Sequence, residues 1–334
     1  RLLSFCQVDL SIAVLIVVAI GSGLLSWATT DRWNGLLTLF HGVAGLTLGL
    51  LVPAKMRGSV STGLRRGRAS RWGSIAFGVV VLAALALGFA HATGLWFGVG
   101  TWSALWTHEL LGFLSVPFLV WHMSSRPRRP QLADLNRRAA LRLGALGTAG
   151  VALWFTQRAT ASAAGLAGGR RRATGSHEVA SRDPANMPTV IWFNDRRPTD
   201  TAAESWPLTI ADEPVAIKSL HTLAQPVTAV LDCTGGWYSE QDWDAVALSD
   251  LAASARGRSV VVVSATGYSR RFPIDQLDSL YLAVGYQGEP LRSGHGAPVR
   301  LVVPGRRGPE WVKWVTEVRF DDTPPWLQPP LPLT

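Results

Sequence analysis

The residue of the C-terminal half with the clearest chemical potential is Cys233, in the stretch Leu231-Asp-Cys-Thr-Gly-Gly-Trp237. It follows an apolar run typical of a strand and opens into two glycines. Such a turn of small residues exposes the sulfur and lets a bulky ligand approach the backbone. A thiolate can bind a soft metal or act as a nucleophile, whereas a buried free cysteine can also be a small apolar side chain. The residues alone leave these interpretations open. The other cysteine, Cys6, is far away in sequence, so no disulfide framework is predicted.

A second group of reactive side chains consists of histidines within or beside apolar runs of the N-terminal half: His41, His91, His108 and His122. Ionisable side chains inside a membrane are costly and usually functional. With a helical rise of about 1.5 Å per residue, His41, His91 and His108 lie at similar depth. In an up-down bundle the second and fourth helices are diagonal neighbours. His41 and His108 are therefore predicted to bind one haem b as axial ligands, with His91 as the alternative ligand. The competing interpretation is that these histidines only bond neighbouring helices.

The elements that position these histidines are predicted to be five transmembrane helices, because about 20 apolar residues span a bilayer. The runs are Val8–Trp27, Leu36–Val52, Ile75–Phe97, Ser103–Met123 and Ala139–Phe155. We therefore expect a membrane domain over residues 1–158.

The orientation of this domain follows from its connectors. Two of them are basic, and they carry Lys55, Arg57, Arg65, Arg66, Arg68 and Arg71, and Arg126, Arg128, Arg129, Arg137 and Arg138. The positive-inside rule places both connectors in the cytoplasm, and the chain after about residue 160 outside. We therefore expect a multi-pass cell-membrane protein with an extracytoplasmic catalytic domain. The net charge of +9 is explained in part by these clusters, and no nucleic-acid partner is predicted.

The entry into the fifth run, Asn136-Arg-Arg138, also resembles a twin-arginine export signal. That pathway moves proteins that have already folded and received a cofactor. The alternative is that Arg137 and Arg138 are two ordinary cations at the cytoplasmic end of a helix.

Residues 159–187 are rich in Ala, Gly, Arg and Ser and are predicted to form a flexible linker. Residues 188–334 form a second domain of short β-type runs separated by Gly, Pro and Asp clusters. With one helix candidate around Val246–Ala255, this indicates an α+β, mainly β domain. The predicted strands are Thr189–Phe193, Trp206–Ile210, Val227–Asp232, Ser259–Ser264, Leu280–Val284, Val299–Val303 and Val312–Phe320.

The order of several motifs resembles the sulfite oxidase family of molybdopterin-dependent oxidoreductases. The motifs are Cys233-Thr-Gly-Gly-Trp237, Trp243-Asp-Ala-Val-Ala-Leu-Ser-Asp-Leu251, Ser264-Ala-Thr-Gly-Tyr-Ser269, Gly285-Tyr-Gln-Gly-Glu-Pro-Leu291, His295-Gly-Ala-Pro-Val-Arg-Leu-Val-Val-Pro-Gly305 and Gly308-Pro-Glu-Trp-Val-Lys-Trp-Val315. The apolar half resembles, more loosely, cytochrome b561-like or ferric-reductase-like membrane domains.

The resemblance implies that Cys233 binds molybdenum and is the catalytic residue. It also implies a molybdopterin cofactor bound by Asn194, Cys233, Thr266, His295, Arg300 and Lys313. The cations Arg300 and Lys313 suit the cofactor's phosphate; the alternative for them is surface salt bridges. The substrate-binding arginines of true sulfite oxidases cannot be aligned, and Arg196, Arg197, Arg270 and Arg271 are candidates.

The implied reaction is oxygen-atom or two-electron redox on a small substrate, either S-oxide reduction or sulfite-type oxidation. Electrons would be exchanged with a quinone or other carrier through the lipid-embedded domain. The alternative from another functional class is a cofactor-free extracytoplasmic binding module on a membrane anchor. Joint presence of Cys233, Arg300 and Lys313 favours the enzyme.

Overall fold

The computed structural model describes residues 5–28, 33–65, 70–99, 102–125, 137–191, 196–253 and 255–329. Contacts between residues divide the chain into two compact units, and the main boundary in sequence falls between Gly175 and Ser176. This boundary lies within the segment 159–187, which the sequence predicts as a linker.

The first unit is built from five long helices. They are α1 (Phe5–Ala28), α2 (Asn34–Arg65), α3 (Ser70–Thr93), α4 (Ala104–Ser125) and α5 (Arg137–Ala163). Three of them, α1, α2 and α5, extend beyond both ends of the predicted runs, because helix formation continues into residues that the apolar signal does not reveal. The helix α4 begins one residue after its predicted start and ends two residues beyond its predicted end. The helix α3 ends before the predicted Phe97, where Gly94 takes a left-handed conformation with φ 75°. A short antiparallel pair, β1 (Gly98–Val99) and β2 (Trp102–Ser103), precedes α4.

All five helices are long and apolar enough to cross a membrane. Their inward residues form a common core that includes Ile16, Leu48 and Phe77. Large apolar side chains elsewhere on the helices face outward: Val17, Phe40, Val79, Val120 and Phe155 are each more than half exposed. An apolar exterior of this kind suits lipid and not water. The predicted membrane association is confirmed.

The segment after α5 packs against the helical unit. A 3₁₀ turn at Ala167–Arg170 lies against the end of α3, where a Cβ on Gly168 would meet the carbonyl oxygen of Ala92 at 2.4 Å. Further on, the Cβ of Ala173 lies 3.3 Å from the position that a Cβ on Gly35 would take, at the start of α2. The predicted linker therefore contains ordered, closely packed residues.

The second unit is mainly β, as the sequence predicts, with two sheets. Its strands are β3 (His177–Glu178), β4 (Thr209–Ile210), β5 (Glu213–Pro214), β6 (Gln225–Cys233), β7 (Trp237–Ala247), β8 (Ser259–Ser264), β9 (Ser269–Pro273), β10 (Tyr281–Tyr286), β11 (Glu289–Pro290), β12 (Arg300–Val302) and β13 (Val315–Asp321). Two short helices, α6 (Ile217–Leu223) and α7 (Leu248–Leu251), complete it.

One sheet is centred on β7 and β10. It has the order β11-β10-β7-β3, with β12 also paired to β10 and β6 to β7. The other sheet has the order β5-β4-β13-β8-β9. The two sheets share one apolar core, in which Trp243, Leu282 and Val262 are fully buried. This core fixes the strand ends and loops on which the candidate site is built.

Several predicted elements differ from the observed ones. The helix candidate Val246–Ala255 is wrong in its extent, because the chain stays in β7 to Ala247 and forms helix only over Leu248–Leu251. Residues 189–191 are not in a strand, and the rest of the predicted Thr189–Phe193 strand lies outside the described residues. The strands β7 and β9 and the helix α6 are not predicted at all.

Candidate active site

Cys233 is the last residue of β6 and pairs with Trp237, the first residue of β7. The tight turn between them uses Gly236 with φ 82°, a conformation that favours glycine. The Cys233 sulfur accepts a hydrogen bond from the backbone N–H of Gly235 at 3.4 Å. The sequence therefore presents the thiol at a rigid hairpin end with one N–H directed at it.

The thiol lies in a cleft whose walls come from well-separated parts of the chain. Lining residues include Pro188, Val190, Ile191, Leu231, Thr234, Trp237, Ser264, Tyr268, His295, Arg300, Gly308, Pro309, Trp311, Lys313 and Trp314. Most of these are apolar or aromatic. The predicted residues Cys233, His295, Arg300 and Lys313 are thus brought together around one space.

Arg300 begins β12 and is 1% exposed. Its guanidinium donates to the carbonyl oxygens of His295 at 2.9 Å and Trp311 at 3.4 Å, and it stacks on the Trp243 ring at 5.0 Å from the centroid. Its Nε is buried without a hydrogen-bond partner among the described residues. Burial lowers the pKa of Arg300 to about 10, so the side chain keeps its proton at neutral pH. A buried cation with an unused donor is suited to an anionic ligand.

Lys313 is the second cation of the cleft. Its Nζ donates to the carbonyl oxygens of Val190 at 2.8 Å and Gly294 at 2.7 Å. Gly296, with φ 106°, makes this arrangement fit, because a Cβ there would meet the Cβ atoms of Arg300 at 3.0 Å and Lys313 at 3.1 Å. The surface salt-bridge interpretation of the two cations does not describe this geometry, since both bond backbone carbonyl oxygens in the cleft wall.

His295 is 3% exposed and both of its ring nitrogens have partners in the protein. Nε2 lies 3.1 Å from the Met187 carbonyl oxygen, which can only accept, and Nδ1 lies 3.0 Å from the Tyr286 hydroxyl. Burial, followed by the nearby Arg300 charge, lowers the pKa of His295 to about 4. The neutral ring therefore donates from Nε2 and accepts at Nδ1. This arrangement tells us that His295 supports the cleft wall.

Behind Cys233 lies a buried polar cluster that the sequence does not indicate. Ser176 Oγ donates to Asp232 Oδ1 at 2.7 Å, and Arg307 Nε lies 3.5 Å from the same oxygen. Arg307 also donates from Nη2 to the Cys233 carbonyl oxygen at 3.2 Å. The cluster holds the backbone on which the thiol is mounted. No local motif marks it, because its members are far apart in sequence.

Two opposing influences act on the Cys233 thiol. Burial raises its pKa, whereas the Gly235 N–H and the charges of Lys313 and Arg307 oppose this increase. The thiolate is thus the minority form in the protein alone, but the surrounding donors and cations favour it once a metal ion binds the sulfur.

The remaining predicted site residues have different positions. Asn194 lies outside the described residues. Thr266 bonds Ser264 Oγ through its hydroxyl at 3.1 Å, and within the described part of this loop the cleft is lined by Ser264 and Tyr268 instead. The Arg197 guanidinium lies next to Gly294, on the Lys313 side of the cleft.

Two further candidate substrate-binding arginines, Arg270 and Arg271, have partners elsewhere in the protein. Arg270 donates from Nη1 to the Pro329 carbonyl oxygen at 2.8 Å and from Nε to the Tyr268 hydroxyl at 2.6 Å. Arg271 is ion-paired with Asp321, and its backbone exchanges two hydrogen bonds with the Gln328 side chain. Neither guanidinium is among the groups that line the cleft.

In the helical unit, His41 of α2 and His108 of α4 face each other with ring centroids 5.7 Å apart and planes at 84°. His41 Nδ1 lies 2.7 Å from the Ala19 carbonyl oxygen of α1, and His108 Nδ1 lies 2.7 Å from the Ala84 carbonyl oxygen of α3. A carbonyl oxygen only accepts, so each Nδ1 carries the proton and each Nε2 keeps its lone pair. This is the state in which histidine binds a metal.

Glycines of the neighbouring helices make room for both rings in the same way. Gly23 follows Ala19 by one turn and lies beside the His41 ring, and Gly88 follows Ala84 by one turn and lies beside the His108 ring. A Cβ on Gly88 would come within 2.9 Å of His108. His91 instead contacts Phe97, and His122 lies 3.3 Å from the Ser74 hydroxyl. The structure thus pairs His41 with His108 and does not bring His91 into that pair.

Comparisons with known proteins bear on the second unit. Residues 196–326 match the oxidoreductase molybdopterin binding domain family. A nitrate reductase [NADPH] from Mycosarcoma maydis is 37% identical over 82 residues, which cover 22% of this chain and 8% of that protein. The sulfane dehydrogenase SoxCD from Paracoccus pantotrophus has 26% identity, with a TM-score of 0.35 over 42% of this chain and 46% of that chain. The chain thus spans a small part of the curated relative and under half of the solved one.

Residues 196–326 of the C-terminal unit therefore form a molybdopterin-binding oxidoreductase domain. The predicted enzyme class, a molybdopterin-dependent oxidoreductase, is confirmed at the level of this domain. The matched segment contains the cleft residues Cys233, His295, Arg300 and Lys313. Five apolar helices precede it.

Proposed function

We propose that this protein is a membrane-anchored molybdenum enzyme that carries out oxygen-atom or two-electron redox chemistry on a small substrate. The observation that carries the proposal is the convergence of the Cys233 thiol with Arg300 and Lys313 in one cleft of a molybdopterin-binding domain. Molybdenum bound there would supply a centre that changes its oxidation state by two electrons. The protein would exchange those electrons with a quinone or other carrier in the membrane.

The residues present fit this cofactor. Arg300 Nε and Trp237 Nε1 are buried in the cleft without hydrogen-bond partners among the described residues, which suits a ligand rich in acceptors. Cys233 would bind the metal, and Arg300 and Lys313 would bind the anionic part of the pterin cofactor. Thr266, His295 and Asn194 remain predicted cofactor neighbours, of which His295 lies in the cleft wall.

The nature of the cleft favours a neutral S-oxide over sulfite as substrate. Its walls are mainly apolar, and two of the four candidate anion-binding residues, Arg270 and Arg271, are held by Pro329 and Asp321 and do not line the cleft. A small neutral substrate needs no cation beyond those used by the cofactor. We therefore place S-oxide reduction ahead of sulfite oxidation.

We further propose that His41 and His108 bind haem b, through which electrons enter or leave the membrane. Iron in a porphyrin needs only two axial ligands from the protein. The two Nε2 atoms are available, and no group of three or more His, Cys, Asp or Glu suited to a metal ion occurs in the described ranges. This supports a haem over a metal ion with protein ligands alone. The haem would supply one-electron transfer.

The side of the membrane is also proposed. The basic connectors support a catalytic domain outside the cytoplasm, by the positive-inside rule. Arg137 and Arg138 are both exposed at the start of α5, as an export signal or an interfacial anchor requires. Membrane lipid, a quinone and the substrate are the expected partners.

The test is electron transfer in detergent-purified protein produced with full cofactor supply. The haem is first reduced chemically, and dimethyl sulfoxide or methionine sulfoxide is added. For sulfite oxidation the haem starts oxidised, sulfite is added, and reduction of the haem is followed. We expect an S-oxide to reoxidise the haem in the wild type and Cys233→Ala to abolish this. A viologen donor in place of the haem tests the molybdenum centre separately. Equal reoxidation in both proteins would contradict the proposal.

A further inference from the structure

We propose that Arg171, with Gln157 and Arg158, forms a carboxylate-binding site at the end of the helical unit where α2 begins. We infer that it binds a propionate of the haem held by His41 and His108. This inference rests on the proposed haem but assigns residues that no haem-ligand motif contains.

Arg171 is a buried cation with unused donors. It is 7% exposed, and its Nε and Nη2 atoms are buried without a hydrogen-bond partner among the described residues. Its guanidinium stacks on the Trp154 ring of α5, 4.8 Å from the centroid. Burial, followed by repulsion from Arg158, lowers the pKa of Arg171 to about 10. The group is therefore still charged at neutral pH, and a buried charge of this kind calls for an anion.

The surroundings of Arg171 supply further donors. Gln157 Nε2 is also buried and unpartnered in the described part of the chain. It follows Trp154 by three residues and thus lies on the same face of α5. Arg158 adds a second positive charge, and the ion pair described within the helical unit, Lys55 with Asp9, involves neither arginine. The two arginines and the Gln157 amide thus have no carboxylate partner among the described residues. Together they form an anion site.

The site lies close to the histidine pair. Trp154, on which Arg171 stacks, packs over Gly42, where a Cβ would come within 1.9 Å of the ring. Gly42 follows His41 directly. The chain after Arg171 runs along the first turns of α2, with Ala173 next to Gly35 and Gly175 next to Thr38. An anion bound by Arg171 is thus within one or two side chains of the residue that would ligate iron.

The burial of Arg171 selects among oxyanions. A phospholipid headgroup would require a guanidinium open to the lipid surface, whereas this one is 7% exposed and stacks on the Trp154 ring. A haem has an apolar ring and two carboxylates at one edge, which matches an interior apolar site with a buried cation at one end. We therefore assign the site to a propionate and treat a lipid phosphate as an outcome of the test.

The experiment compares Arg171→Gln and Arg171→Lys with Arg170→Gln, a control at an exposed neighbour. Haem content is read from the Soret band, and the midpoint potential is titrated from pH 6 to 9. We expect Arg171→Gln to lower the midpoint potential, because the negative charge of a propionate without its cation disfavours reduction of the iron. The potential should also depend more strongly on pH, because protonation of the propionate removes that charge. Arg171→Lys should fall between, and Arg170→Gln should match the wild type.

A second measurement covers the case in which Arg171→Gln binds haem poorly. Protein made without haem is reconstituted with haem or with its dimethyl ester, which lacks the carboxylates. The wild type should prefer haem by about tenfold, the effect of a hydrogen bond to a charged group. The variant should bind both equally.

The outcomes separate the two proposals. A normal Soret band with unchanged potential, pH dependence and ester preference in Arg171→Gln would overturn the propionate site and leave the haem intact. A wild type without a Soret band, even after reconstitution, would overturn the haem itself. In that case, if the wild type bound an anionic phospholipid and Arg171→Gln did not, the site would be assigned to a lipid phosphate.

Discussion

The buried ion pair between Asp232 and Arg307 shows how single residues hold the proposed metal ligand in place. Both side chains are 6% exposed, and Arg307 also bonds the Cys233 carbonyl oxygen. A pair of this kind need not add net stability, but removal of one partner leaves a buried charge uncompensated. Its value lies in fixing the Cys233 backbone.

Arg307→Gln is therefore expected to lower the free energy of unfolding of the catalytic unit by about 3–5 kcal/mol. Denaturant unfolding followed by tryptophan fluorescence measures this change. The control is Arg306→Gln, since the neighbouring side chain is 32% exposed and forms an ion pair with Glu310 at 3.6 Å. Equal losses in the two variants would contradict the role of the buried pair.

His295 predicts a pH dependence of stability. Its pKa falls from 6.5 in the unfolded chain to about 4 in the folded protein, because burial disfavours the charged ring. The unfolded state therefore binds a proton first as the pH falls, and stability is lost between about pH 6.5 and pH 4. Above this window the contribution of His295 is fully present.

We expect His295→Gln to reduce the loss of melting temperature between pH 7 and pH 4.5, and His221→Gln, at an exposed position, to leave it unchanged. Thermal unfolding across this range is the measurement. An identical pH slope in His295→Gln and the wild type would show that another group dominates.

For single residues, the sequence reveals the side chains that could carry the chemistry but not the contacts that hold them in position. Cys233, Arg300 and Lys313 lie in one cleft, and their binding of the cofactor stays a prediction. The neutral state of His295 could not be predicted, because it depends on burial in the folded domain, and its tautomer depends on the Met187 carbonyl oxygen, which is distant in sequence. The same holds for the bond between Arg307 and Cys233.

At the scale of elements, the turn between residues 293 and 300 decides whether the two cations can share a cleft. Gly296 combines φ 106° with close contact to both Arg300 and Lys313. Gly305 has φ 80° but nothing within 4 Å of its Cβ position. A side chain at Gly305 would therefore cause backbone strain alone, whereas a side chain at Gly296 would cause both strain and steric crowding.

Gly296→Ala and Gly305→Ala should each lower the free energy of unfolding by about 1–2 kcal/mol, because alanine is strained in the left-handed conformation. Only Gly296→Ala should also lose bound molybdopterin, because its methyl group displaces Arg300 or Lys313. Pterin fluorescence after oxidative release measures retention. Equal retention in the two variants would show that the turn does not position the cations.

The elements predicted best are those with a pure apolar signal. The run Ser259–Ser264 is continuous valine between two serines, and β8 has the same bounds. By contrast, β7 was not predicted, because its inward face carries Ser239 and Gln241, both fully buried and bonded to the Ala180 carbonyl oxygen. The side chains of this strand alternate between buried and less buried positions, but they do not alternate between apolar and polar types, which is the signal that predicts a strand.

At the scale of the whole molecule, a membrane unit and a molybdopterin-binding unit occur in one chain. The helical half was predictable because its apolar runs are long enough to admit few alternatives. The pairing of His41 with His108 followed from depth and helix order, whereas the donors Arg171 and Gln157 could not be found by periodicity. Joining both units in one chain is what would let substrate chemistry and membrane electron transfer be coupled.

The most direct test of the central claim is the molybdenum and pterin content of the purified protein, compared between wild type, Cys233→Ala and Cys6→Ala. The account predicts about one molybdenum per chain in the wild type and in Cys6→Ala. It predicts loss of molybdenum in Cys233→Ala, which lacks the thiolate. Molybdenum absent from the wild type under full cofactor supply, or retained in Cys233→Ala as in the control, would contradict it.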